Sequence, residues 1–156
     1  MSTDMTWQTN STSSDETERI AERLGANLRG GEVIELVSDL GGGKTTFTRG
    51  LARGANSSNK VGSPTFTISR EYATPKFTIA HFDFYRLGEA GIVADELAEV
   101  IGDAAYVVVV EWGEIVHDVL PKAPRLTVHI TLVGETERQL TITYPAELQY
   151  VLEGVA

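Results

Sequence analysis

The sequence predicts one α/β domain built on a mixed sheet with helices on both faces. Two stretches, Glu32–Val37 and Tyr106–Val110, are mostly apolar and short, which is typical of strands buried in the centre of a parallel sheet. Two further pairs of strand-like stretches are separated by turn residues and predict hairpins, which require antiparallel pairing. A length of 156 residues is enough for one such domain with a core of its own.

The helices are predicted from capping residues and periodicity. Ser13 and Glu16 have the spacing of a capping box, so the first helix begins near Ser13–Asp15 and ends before the glycine pair at 30–31. A second helix runs from Lys44 to about Arg53 and is closed by Gly54. Further helices are predicted around Asp95–Ile101, Glu114–Leu120 and Ala146–Leu152.

The hairpins complete the predicted sheet. Thr65–Tyr72 is expected to pair with Phe77–Tyr85, and Arg125–Val133 with Arg138–Tyr144. Since the apolar strands are predicted to be parallel and these pairs antiparallel, the sheet is predicted to be mixed.

Composition excludes several classes of protein. The chain has no cysteine, which excludes disulfides, cysteine-based zinc sites and a thiol nucleophile. A net charge of −9 argues against direct binding of DNA or RNA. There is no apolar run long enough for a membrane span and no secretory signal pattern, so we expect a cytoplasmic protein. Residues 1–14 are predicted to form a flexible polar tail, and residues 15–156 the folded domain.

The stretch VIELVSDLGGGKTTF, residues 33–47, predicts a phosphate-binding loop (P-loop). A strand that leads through a glycine loop into a helix directs backbone N–H groups and the positive end of the helix at one point. Lys44 is expected to reach the β- and γ-phosphates, and the Thr45 hydroxyl to bind Mg²⁺. The residues predicted to bind the nucleotide are Asp39, Leu40, Gly41, Gly42, Gly43, Lys44, Thr45 and Thr46.

Ser38 departs from the P-loop pattern, G-x-x-x-x-G-K-[ST], because it occupies the position of the first glycine. If that position requires a positive φ, a serine costs on the order of 1 kcal/mol there. Such a cost is small beside the binding energy of a triphosphate with magnesium, so we expect the loop to bind nucleotide despite the serine.

Acidic residues follow two of the predicted strands. Glu111 comes directly after the apolar run Tyr106–Val110, and Asp83 lies in the sequence HFDFYR near the end of another strand. Either residue suits a magnesium–nucleotide site, although an acid at a strand end is also commonly a surface residue or a helix cap. His81, two residues before Asp83, is a candidate base, but the interpretation as a hydrogen-bonded packing residue is favoured.

Four separated segments together resemble the TsaE family: DLGGGKTTFTRG, VGSPTFT, HFDFYRL and VVEWGE. The resemblance covers roughly residues 15–144 and implies a compact P-loop NTPase fold that binds ATP or ADP with Mg²⁺ and hydrolyses ATP. It also implies work with TsaD-like and TsaB-like partners. The family's complex forms N6-threonylcarbamoyladenosine at position 37 of tRNAs that read ANN codons, and tRNA is held mainly by the partners.

The same resemblance implies roles for individual residues. Lys44, Asp83, Glu111 and Thr65 are implied in catalysis, Thr65 as part of a switch element. Thr45 and Glu111 are the implied metal ligands. The segment Thr12–Thr17 resembles the family's stretch that lies near the nucleotide, although a plain solvated cap explains it equally well. Arg138 matches a late arginine of the family, but arginines at strand ends are commonly just solvated.

Two other functions remain open at the level of sequence. A nucleotide-gated interaction module without meaningful hydrolysis would use the same loop, because P-loop proteins often act by ordering switch segments. A small P-loop kinase would need an arginine-bearing lid, and the sequence contains no arginine-rich segment of that kind. A GTPase is disfavoured because there is no Asn-Lys-x-Asp run.

Overall fold

The computed structural model describes residues 4–38, 43–59, 61, 69–83, 91–111 and 124–155. Within these residues the chain forms seven strands, three α-helices and one 3₁₀ helix. In chain order they are β1 (Met5–Ser11), α1 (Ser14–Ala26), β2 (Val33–Ser38), α2 (Lys44–Gly54), β3 (Ser69–Ala73), β4 (Thr78–Asp83), α3 (Gly91–Val100), β5 (Tyr106–Glu111), β6 (Leu126–Leu132), β7 (Arg138–Tyr144) and the 3₁₀ helix (Ala146–Leu152).

The strands form one mixed sheet in the order β1-β7-β6-β2-β5-β4-β3. Strand β2 lies at the centre, parallel to both β5 and β6, and β4 is parallel to β5. The hairpins β3–β4 and β6–β7 are antiparallel, which confirms the predicted mixed sheet. Because β2, β5 and β4 are parallel, their carboxyl ends lie at the same edge of the sheet.

The N-terminal residues contain a strand that the sequence analysis did not predict. Met5–Ser11 pairs with β7 in antiparallel register along its whole length, so the expectation of a flexible tail is wrong for these residues. Met5 and Trp7 pack against the core from this strand. At its end Ser11 is fully buried, and its hydroxyl lies 2.6 Å from that of Thr17 in α1.

Helix α1 begins at a capping arrangement close to the predicted one. The Ser13 hydroxyl accepts a hydrogen bond from the Glu16 N–H at 3.1 Å, as the capping-box spacing predicts. The Glu16 carboxylate accepts instead from the hydroxyl and the backbone N–H of Thr12, at 2.6 and 3.2 Å. The hydrogen bond from the Thr12 hydroxyl holds the pKa of Glu16 below its usual value.

The main core lies between the sheet and the helices α1, α2 and 3₁₀, which contribute Leu24, Phe47 and Leu148 among other residues. The opposite face of the central strands is also buried, and Leu97 of α3 is fully buried outside this core. Both faces of the apolar central strands are therefore buried, as the sequence predicted. The buried residues of that second face include Val33, Ala80, Phe82, Val108 and Val110.

Some predicted elements lie outside the described residues. These are the helix Glu114–Leu120 and the parts of the first hairpin that fall in residues 62–68 and 84–90. The last predicted helix is present but is a 3₁₀ helix. Within the described part of the chain, none of the helices has the length and apolar character needed to span a membrane.

Helices α1 and α2 approach so closely that glycine is required at their contact. A Cβ atom on Gly50 would lie 2.3 Å from the Glu18 carbonyl oxygen and 2.7 Å from the Ala21 Cβ. Carbonyl oxygens of a packed helix cannot move aside as a flexible side chain can. The same restriction holds on each helix, at Gly25 and Gly54.

We therefore predict that Gly50→Ala lowers the free energy of unfolding by about 1–3 kcal/mol, because the two helices must separate. Urea denaturation followed by circular dichroism measures the change. Gly134→Ala is the matched control, since a Cβ there would meet only the Glu137 side chain at 3.7 Å. Equal stability of the two variants would contradict the close helix contact.

Candidate functional site

The candidate site lies at the edge of the sheet where β2, β5 and β4 end. Glu111, the last residue of β5, is paired in register with Leu36 on one side and with Asp83 on the other. Ser38 ends β2 two residues after Leu36, and α2 begins shortly afterwards at Lys44. The fold therefore brings Lys44, Asp83 and Glu111, three residues singled out from the sequence, to one edge of the sheet.

Lys44 is directed into this edge. Only 8% of the residue is exposed, and its ammonium group donates a hydrogen bond to the Ser38 carbonyl oxygen at 3.3 Å. The same nitrogen lies 3.9 Å from Oε1 of Glu111. A buried lysine is stable as a cation only where acceptors and negative charge surround it, and these two contacts provide both.

The amino end of α2 is suited to an anion. Its N-cap residue, Gly43, has a φ of 104°, a conformation that side chains other than glycine disfavour. The N-cap makes no side-chain hydrogen bond and the first turn contains no acidic residue, so these residues of α2 leave its positive end available to an anion. A Cβ at Gly43 would meet nothing within 4 Å, which leaves space beside the helix start.

The residues around the helix start fit a nucleotide with magnesium. Thr45 and Thr46, in the first turn of α2, are half-buried. Mg²⁺ bound with nucleotide commonly takes one or two protein ligands besides phosphate oxygens and water, which suits a threonine hydroxyl together with Glu111. Of the other residues predicted from the sequence, 39–42 and Thr65 lie outside the described part of the chain.

Ser38 does not need the conformation that would make a serine costly. It is the last residue of β2 and pairs with Ile130 of β6 as part of the sheet. Among the described non-glycine residues a positive φ occurs only at Asn56, so Ser38 has the ordinary backbone of a strand. The penalty considered from the sequence therefore does not arise, and the Ser38 carbonyl oxygen accepts a hydrogen bond from Lys44.

Glu111 is connected to a second buried group, His81. The His81 imidazole is fully buried, and its Nε2 lies 2.5 Å from Oε2 of Glu111. Its other nitrogen, Nδ1, lies 3.1 Å from the hydroxyl of Tyr72, which is also buried. His81 is thus the hydrogen-bonded buried residue that the sequence favoured, but its partner is a predicted site residue.

Asp83 lies beside this group at the end of β4. It is half-buried and directly opposite Glu111 in the register of the two strands. Alternation along β4 places Asp83 and His81 on the same face of the sheet. An acidic residue in this position is suited to orienting a water molecule at the edge of a phosphate site.

A cavity of about 190 Å³ adjoins the start of α2. It lies between the beginnings of the two packed helices and the turn of the β6–β7 hairpin. The sequence carries no local signal for the contribution of that turn, because only the pairing of β7 with β1 and β6 brings it here. The residues lining the cavity are Ser14, Thr17, Gly43, Thr46, Glu135, Thr136 and Arg138.

Arg138 has a defined role in that turn. Its guanidinium donates to the carbonyl oxygens of Gly134, Glu135 and Glu137 at 3.0–3.4 Å. It therefore closes the hairpin turn that borders the cavity.

Comparison with known proteins gives consistent matches. The sequence profile of the family described as "Threonylcarbamoyl adenosine biosynthesis protein TsaE" matches residues 11–140. Two similar proteins, both named tRNA threonylcarbamoyladenosine biosynthesis protein TsaE, come from Bacillus subtilis and Rickettsia bellii. The first is 37% identical over 134 residues, 83% of this chain and 80% of the relative; the second is 35% identical over 142 residues, 87% and 94%. The crystal structure of Bacillus subtilis YdiB superposes with a TM-score of 0.76 at 33% identity, covering 99% of this chain and 95% of that one.

Ser38 and Gly43 flank the loop that leads into α2. Substituting each of them allows a matched test of the loop's geometry. Ser38→Gly keeps the carbonyl oxygen that Lys44 contacts, so we expect the affinity for an ATP analogue to stay within about threefold. Gly43→Ala forces a Cβ into a positive-φ position, at a cost on the order of 1–2 kcal/mol, and should weaken binding about 5- to 30-fold.

Isothermal titration calorimetry with a non-hydrolysable ATP analogue measures both affinities. A large loss of binding in Ser38→Gly, or none in Gly43→Ala, would show that the loop has another geometry.

Proposed function

The chain belongs to the TsaE family of threonylcarbamoyl adenosine biosynthesis proteins, and on this premise we propose that it is a magnesium-dependent ATPase. In this role it binds and hydrolyses ATP to support formation of N6-threonylcarbamoyladenosine at position 37 of tRNAs that read ANN codons. The observation that carries the proposal is the Lys44 ammonium group, buried at the uncapped amino end of α2 and 3.9 Å from the Glu111 carboxylate.

The phosphates of ATP are held by the start of α2. The Lys44 ammonium and the backbone N–H groups of the first turn bind the β- and γ-phosphates, where the helix end contributes partial positive charge. The affinity depends on both, because Lys44 supplies the full positive charge while the N–H groups fix the orientation of the phosphates. Residues 39–42, predicted from the sequence to bind the nucleotide, are proposed to contact the phosphates as well.

The hydroxyl of Thr45 and the carboxylate of Glu111 would hold the metal ion. When bound, Mg²⁺ neutralises charge on the β- and γ-phosphate oxygens. Glu111 is positioned for this by its place at the end of β5, between β2 and β4. Its Oε2 contacts Nε2 of His81, and its Oε1 faces the ammonium group of Lys44.

Hydrolysis requires a group that orients water against the γ-phosphate. Asp83 is proposed for this role because it is half-buried at the end of β4, opposite Glu111. A carboxylate there accepts a hydrogen bond from the attacking water without being needed to hold the phosphates. Thr65, in the predicted switch element, is proposed to respond to the γ-phosphate or the metal.

The ATPase is proposed to act in the cytoplasm with TsaD-like and TsaB-like proteins, the first of which transfers the threonylcarbamoyl group. The chain carries 22 acidic and 13 basic residues, a net charge of −9, which does not favour a direct contact with the tRNA phosphates. The proposal therefore gives tRNA contact mainly to the partners. Mass spectrometry of tRNA nucleosides from cells depleted of this protein tests the role: an unchanged threonylcarbamoyladenosine level would contradict it.

Lys44→Ala should abolish ATP binding, since it removes the charge that faces the phosphates. A loss of at least about 100-fold in affinity is expected for a buried charge-assisted contact. Lys76→Ala is the control, because Lys76 is an exposed lysine in the β3–β4 turn. Calorimetry with ATP and Mg²⁺ measures both; normal binding by Lys44→Ala would refute the assignment of the site.

Asp83→Asn should separate hydrolysis from binding. We expect ATP affinity within about threefold of the parent and a hydrolysis rate lower by about 100-fold or more, as for the loss of a group that orients the nucleophile. Phosphate release is measured with and without the TsaD-like and TsaB-like proteins. Absence of release from the parent protein under both conditions would instead favour the nucleotide-gated interaction module.

A further inference from the structure

A chain of buried hydrogen bonds extends from the proposed site into the sheet. The Tyr72 hydroxyl lies 3.1 Å from Nδ1 of His81, and Nε2 of His81 lies 2.5 Å from Oε2 of Glu111. The exposed fraction is 1% for Tyr72, 0% for His81 and 3% for Glu111. Buried polar groups of this kind are stable only when each one has a partner.

The chemistry of the three groups gives these contacts a direction. A carboxylate accepts hydrogen bonds, so the imidazole donates its Nε2–H to Glu111. The other ring nitrogen, Nδ1, makes the hydrogen bond with the Tyr72 hydroxyl. Turning the ring over would place carbon atoms at both contacts, so Tyr72 also fixes the orientation of the imidazole.

We propose that His81 is a positioning residue that fixes the Glu111 carboxylate for ATP hydrolysis. With Oε2 held by His81, the remaining oxygen, Oε1, is directed toward the Lys44 ammonium 3.9 Å away. Full burial prevents His81 from contacting nucleotide, and its Nε2 is committed to Glu111, so it acts neither as a base nor as a ligand. The effect on hydrolysis rests on the ATPase function proposed above.

The strand register explains why the histidine occupies this position. His81 pairs with Val109 of β5. The next pair on the same face of the sheet, two residues further along both strands, is formed by Asp83 and Glu111. The same strand therefore carries the residue that holds Glu111 and the acid proposed to orient water. The pairing of β4 with β5 places Asp83 next to Glu111 at the edge where hydrolysis is proposed.

Three variants separate positioning from packing. His81→Leu removes the donor to Glu111, and kcat for ATP hydrolysis should fall about 10- to 100-fold, the range expected for a hydrogen bond to a charged group, with KM within about threefold. His81→Gln places an amide N–H near the former Nε2 and should recover most of the loss. Tyr72→Phe leaves the contact with Glu111 intact but frees the ring, so a smaller decrease is expected.

A double-mutant cycle tests whether His81 acts through Glu111. If it does, His81→Leu should lower hydrolysis much less in a Glu111→Gln background than in the parent. A merely structural role predicts lower stability in urea denaturation with kcat per folded molecule unchanged, and this result would overturn the proposal. Equal effects of His81→Leu in both backgrounds would also overturn it. If His81→Leu does not fold, His81→Gln and Tyr72→Phe carry the comparison.

A spectroscopic measurement on nucleotide-free protein is independent of ATPase activity. The chain has three histidines, so nitrogen-15 labelling of histidine gives a simple spectrum. We expect one ring N–H that is protected from exchange with water, lost in His81→Gln and exposed to exchange in Glu111→Ala. Absence of a protected ring N–H would overturn the proposal. Inactivity of the parent toward ATP would refute the proposed function alone, and this measurement would still decide whether His81 holds Glu111.

Discussion

The buried carboxylate of Glu111 is the constraint on which the arrangement of the site depends. A carboxylate with 3% exposure is unstable unless opposite charge and hydrogen-bond donors compensate it. Those partners come from two different elements, Lys44 from α2 and His81 from β4. The fold must therefore hold the end of β5, the start of α2 and the end of β4 at fixed positions relative to one another.

The rest of the fold maintains that relation. Because β2, β5 and β4 are parallel, their carboxyl ends are aligned. The left-handed conformation of Gly43 lets α2 begin with its amino end facing those strand ends. Helix α2 is in turn held against α1 by backbone contact that glycines such as Gly50 permit. A displacement of α2 would separate Lys44 from Glu111, so packing far from the site contributes to the electrostatics within it.

The sequence predicts those parts of the site whose signals are local. The strand, glycine loop and helix around Lys44 form one continuous pattern, and Glu111 follows an apolar run, so both could be predicted without a structure. Strand β1 was missed because its inward-facing residues include the polar Thr9 and Ser11, which leaves little apolar alternation. The contact between His81 and Glu111 joins residues 30 positions apart on neighbouring strands, and only the register of β4 and β5 specifies it.

The pairing of β1 with β7 has a consequence for how the chain acquires its structure during synthesis. Met5 leaves the ribosome long before its partner in the sheet, Tyr144, which lies far later in the chain. Contacts between such distant positions are slow to form, because a long loop must be closed to make them. The inward face of β1, with Met5 and Trp7, therefore has no sheet to cover until β6 and β7 have been synthesised. These apolar residues are exposed on the nascent chain until the β6–β7 hairpin folds.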